Sequence, residues 1–62
     1  MIAKIHKTVV SDEHGKSEVY DVLIEESGVT LASIPCIDVL NAVMLLDAIQ
    51  LNSNVQVVRG IH

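Results

Sequence analysis

The chain predicts a two-layer α+β fold ordered β-β-β-α-β, an antiparallel meander with one helix packed on one face. Three observations carry this expectation. Two alternating apolar runs flank a polar loop containing Gly15. Ser27-Gly28 separates the second run from a third. A stretch rich in Leu, Met and Ala follows Pro35. With 62 residues and no linker, repeat or low-complexity tract, residues 1–62 read as a single small domain.

Met1 to Val10 alternates as a half-buried strand does, with Ala3, Ile5 and Val9 on one side and Lys4, His6 and Thr8 on the other. Ser17 to Glu26 forms the second strand. Gly15 in the intervening loop can take positive φ without a Cβ penalty. Setting Ser11 opposite Lys16 places Ile5 against Val22, Ala3 against Ile24 and His6 against Asp21, which brings the apolar sets together. Ser27-Gly28 suits a two-residue hairpin turn. With Glu26 opposite Val29, Leu31 faces Ile24, Ala32 faces Leu23 and Ser33 faces Val22. Ser33-Ile34-Pro35 reads as a helix entry, since Ser33 can accept from a free first-turn amide and Pro35 lacks a donor where none is needed. Asp38 suits the positive end of the helix dipole. The helix continues to about Leu51, and Asn52-Ser53-Asn54 offers residues tolerant of a left-handed cap. Val55 to Arg59 or Ile61 is a last strand, placed parallel beside the first or the third. The helix is expected across Ile5, Val22, Ile24 and Leu31.

The helix carries two apolar stripes rather than one. Ile37, Leu40, Met44, Ala48 and Leu51 form the first; Val39, Ala42, Leu46 and Ile49 form the second. One sheet covers one stripe. The expectation is that Val39, Ala42, Leu46 and Ile49 are the surplus and form the interface of a homo-oligomer. The last strand and loops covering both stripes, and a groove for another protein, are the alternatives. A chain this short hides only about 60% of the surface it exposes when unfolded, so covering a second stripe would weigh heavily in its stability.

Composition narrows the chemistry. A net charge of −4 with only four Lys or Arg argues against nucleic acid as a partner. The Cys36–Leu51 stretch is broken by Asp38, Asn41, Asp47 and Gln50, which argues against a membrane span. No signal peptide is recognised at the start, and a lone Cys36 offers no disulfide within the chain, so a cytoplasmic location is expected. No cofactor is expected. His6, His14, His62 and Cys36 do not reach metal-ligand spacing, and the isolated glycines build no phosphate loop.

Two enzymatic readings stand beside this. Cys36 in the first helical turn would have its thiol activated by the dipole, and Asp21 could orient His6 for acid-base work. Ile2-Ala3-Lys4-Ile5-His6 followed by Ser11-Asp12-Glu13 resembles the opening of the small tautomerases of the 4-oxalocrotonate type, over about a quarter of the chain. That resemblance implies a small subunit of an oligomeric enzyme. The family's base is an N-terminal proline and its site uses arginines, whereas this chain begins Met1-Ile2, has Arg59 as its only arginine and puts a hairpin where the family has a helix. No residue carries over. Asp12, Glu13, Glu18, Asp21, Glu25 and Glu26 would also suit an acidic mimic of nucleic acid. The preferred function is a non-enzymatic interaction module, a homo-oligomer that regulates or inhibits a larger protein.

Overall fold

A computed structural model describes residues 1–61. Its elements are β1 (Ile2–Asp12), β2 (Gly15–Glu26), β3 (Val29–Cys36), α1 (Val39–Asn52) and β4 (Gln56–Ile61), which is the expected order. They form one mixed sheet in the order β3-β2-β1-β4 with α1 on one face. β4 runs parallel to β1, and the other pairings are antiparallel.

The β1–β2 register is the expected one throughout, with Ser11 on Lys16, Ile5 on Val22 and Ala3 on Ile24. Asp12 pairs with Gly15 across Glu13-His14. The His14 N–H donates to Asp12 Oδ1 at 2.8 Å, and Gly15 sits at φ +116°. At the next turn Ser27 and Gly28 take φ 54° and 79°. Positive φ at both central residues matches the twist of the flanking strands. Ser27 holds that conformation against its Cβ, at a cost of roughly 1 kcal/mol. Ser27→Asn, which suits the left-handed region better, is therefore expected to raise stability by about 0.5–1 kcal/mol. Urea unfolding of the two proteins checks this, and an unchanged midpoint would count against it.

Four expectations are corrected. A bulge between Ile24 and Glu25 slips the β2–β3 register by one, so Ile24 faces Ala32, Leu23 faces Ser33 and Val22 faces Ile34. Leu31 consequently lies exposed rather than under the helix, and Ala32 and Ile34 take the inner positions. Ser33-Ile34-Pro35 does not start the helix: β3 runs through Cys36, and Pro35 is accommodated because β3 is an outer strand. The helix begins instead at Asp38, whose Oδ1 accepts from the Asn41 N–H at 2.8 Å, while Asn41 Oδ1 accepts from the Ile37 N–H at 3.2 Å. Asp38 thus satisfies an amide the helix leaves free, while Asn41 reaches back to fix the residue just ahead of the cap. At the other end there is no left-handed cap. Ser53 is extended and its hydroxyl donates to the Ile49 carbonyl at 2.7 Å, while Asn52 Nδ2 donates to that of Ala48 at 2.8 Å.

The core is small. Ala3, Ile5, Val22, Ala42 and Leu46 are fully buried, ringed by half-buried side chains that include Ile24, Ile34, Val43, Leu45, Ile49 and Val57. Ala42 presents only a methyl group toward the sheet, which lets the helix backbone lie close to it.

Candidate functional site

The rotation of α1 decides which stripe is used inside the chain. Only Ile37-Asp38 separates β3 from the helix, so the end of β3 and the Asp38 cap set the helix phase. That phase turns Ala42 and Leu46 fully inward and leaves Ile49 half-buried. Val39 is 36% exposed at the margin. The expected interface of Val39, Ala42, Leu46 and Ile49 is thus the stripe that covers the sheet. The surplus stripe is the other one: Ile37 is 90% exposed, Leu40 64%, Met44 62% and Leu51 85%, with exposed Ala48 among them.

Summed, these four large side chains expose on the order of 500 Å², at the upper end of the size of apolar patches on monomeric proteins. The seam is almost free of charge. Asp38 flanks it beside Ile37, and the one acidic side chain within α1, Asp47, is held by Arg59 of β4 at 2.5 Å, with Arg59 also donating to Gln50. Asp47 and Gln50 therefore tie the helix to the sheet.

A second feature lies at the far end of the sheet. β3 pairs with β2 only from Tyr20 onward, and β4 pairs with β1 only from Ile2 to Ile5. The hairpin beyond these points is a two-stranded arm with both edges bare. It gives the molecule a long dimension of 42 Å against 23 and 16 Å, and a radius of gyration of 12.3 Å, where a compact chain of this length has about 10–11 Å. Val9, Val10 and Val19 are exposed along it. On its helix-side face Lys7 approaches Glu18 at 3.9 Å, and Tyr20 donates to Glu18 at 2.5 Å. That hydrogen bond, to a group already negative, raises the Tyr20 phenol above its ordinary pKa.

The chemical candidates are not assembled. His6 and Asp21 stand opposite each other on the face away from the helix, as expected, but no ion pair joins them. Cys36 is half-buried in β3 opposite Tyr20, its thiol directed at the Ile34 carbonyl at 3.5 Å. It is not in a helical turn, so the dipole that would have activated it is absent. His14 sits at the hairpin tip and His62 lies outside the described residues. Among the described residues no pocket opens and no three His, Cys, Asp or Glu side chains converge. No helix there is long and apolar enough to cross a membrane.

The carboxylates of the hairpin do not form a uniform acidic strip, because Glu18 approaches Lys7 and Glu25 pairs with Lys4 at 3.0 Å. Glu25 also accepts from Thr30 at 3.3 Å. The Lys4 hydrogen bond, helped by its charge and opposed by desolvation, holds the Glu25 carboxyl below its ordinary pKa. A carboxylate depressed in the folded state adds stability above its unfolded pKa, and that contribution fades as pH falls through the folded value. Lys4→Met is therefore expected to make unfolding less dependent on pH between about pH 6 and about pH 3. Parallel urea titrations test it, and identical slopes for both proteins would refute the pairing.

The open helix stripe was visible in the sequence as a stripe, though with its direction inverted. The arm was missed. Its signal was the length of the first two alternating runs, which exceeds what the third and last runs can cover. Comparison of the chain with known protein families, known proteins and solved structures finds no match.

Proposed function

We propose that the chain is a non-enzymatic protein-interaction module that works as a homo-oligomer in the cytoplasm and regulates or inhibits a larger protein. The observation that carries this reading is the exposed seam of Ile37, Leu40, Met44 and Leu51. Doubled across two copies, its apolar area approaches the roughly 1,200 Å² at which specific interfaces begin. A neutral seam suits a second copy of itself, since no like charges meet across a two-fold axis. Ala48 between Met44 and Leu51 leaves a place for a larger side chain of the facing helix. A core of five buried side chains adds a reason for self-association, because burial between copies supplements what the single chain cannot bury.

Sedimentation equilibrium tests the reading. The expected result is a mass that rises above that of one chain through the micromolar range. A folded chain that stays monomeric at high micromolar concentration would overturn it.

A further inference from the structure

The bare hairpin arm is the less expected of the two surfaces. A two-stranded ribbon is marginal in water, and edges with unpaired backbone groups invite a further strand. On the β2 side the open edge runs from Gly15 to Val19, bounded by the turn on one side and by β3, opposite Tyr20, on the other. Its sequence is Gly15-Lys16-Ser17-Glu18-Val19.

We infer that this edge pairs antiparallel with the same edge of a second copy, Ser17 lying on the two-fold axis, so that the two arms make one four-stranded sheet. The inference rests on the homo-oligomer reading for its choice of occupant, but it uses a different surface. Charge complementarity selects the register. With Ser17 on the axis, Lys16 stands opposite Glu18 of the second copy and Glu18 opposite that copy's Lys16. Unlike charges directly opposite stabilise a strand pair, and like charges destabilise it. Moving the axis to Lys16 or to Glu18 sets like charges against each other.

The β1 edge does not offer the same fit. A self-pair centred on Val9 opposes Lys7 to Ser11 and Thr8 to Val10, and sets no lysine against a carboxylate. Centred on Val10, it opposes Thr8 to Asp12 and brings no unlike charges together within the strands. On the β2 edge, Lys16 makes no ion pair among the described residues and is free to reach across. An axis normal to the sheet keeps both helices on one face, separated along the strands by the joined arms.

The test separates this contact from the helix seam by working in the full chain carrying Leu40→Glu. Sedimentation equilibrium of that protein is expected to show a dimer. Adding Lys16→Glu or Glu18→Lys separately should weaken the dimer tenfold or more, each protein remaining folded by circular dichroism. An equimolar mixture of the two should recover it, because every opposed pair then again joins unlike charges. Lys16→Glu is the cleaner variant, as Glu18 also serves Lys7 and Tyr20. A folded Leu40→Glu protein that is monomeric at the highest concentration would overturn the inference, as would a dimer indifferent to both reversals. If Leu40→Glu leaves wild-type association unchanged, the helix seam alone fails, and the reversals still decide the arm.

Discussion

Leu46→Ala is expected to remove about 2–5 kcal/mol of stability, the range for emptying a fully buried leucine site. Leu46 is 1% exposed and belongs, with Ala42, to the only fully buried pair the helix contributes among the described residues. A chain of this length has roughly 3–9 kcal/mol of stability in all. The truncated protein should therefore unfold at a much lower urea concentration than the wild type. Urea unfolding followed by far-ultraviolet circular dichroism measures it, with Leu40→Ala as the comparison on the exposed side. A Leu46→Ala protein within about 1 kcal/mol of wild type would mean that the helix does not rest on this face.

Leu40→Glu is expected to act on association instead of on folding. In the single chain Leu40 is 64% exposed, so a carboxylate there stays hydrated and costs the monomer little. In a two-fold contact the change occurs twice and removes two buried leucines, each worth about 1.5–3 kcal/mol. It also strips water from a charge that has no partner in the seam. A loss of at least about 3 kcal/mol corresponds to a more than 100-fold weaker contact. The measured mass should fall to no more than a dimer, that which the arms hold. A mass identical to wild type at every concentration would remove the helix seam from the argument. Contrasting Leu40→Glu with Leu46→Glu gives the sharpest reading, since the second should unfold the chain before association is ever in question.

Alternation and turn chemistry made the first hairpin legible residue by residue, because a one-residue slip there would have exposed Ile5 and Val22. The second hairpin was legible only up to its bulge. Glu26 does face Val29, but the extra residue near Ile24 leaves no compositional mark, and a leucine at position 31 looked a better inner residue than the alanine at 32. Pro35 misled for a similar reason. A proline ahead of a helical stretch and a proline in an outer strand read alike until the strand order is known. The two helix stripes are comparable in size, so nothing within the helix says which faces the sheet. That choice depends on where β3 ends and on Asp38, both tertiary facts, and on the small Ala42 fitting a close approach that bulkier Leu40 or Met44 would hold open. Burial alone could not have separated them.

The parallel pairing of β4 with β1 has a consequence for the order in which the molecule is made. Its partners are among the most distant in the chain, Ile2 meeting Gln56 and Lys4 meeting Val58, whereas the meander joins neighbours through two-residue turns. Closing so long a loop costs more chain entropy than closing a hairpin. The meander therefore forms first, from local contacts, while the outer edge of β1 still waits for its last neighbour. For that interval the strand that ends up second from the side of the sheet is itself the side, open along its whole length from Ile2 to Asp12. The six residues of β4 then retire that adhesive border only from Ile2 to Ile5, so its remainder, from His6 to Asp12, persists in the finished fold.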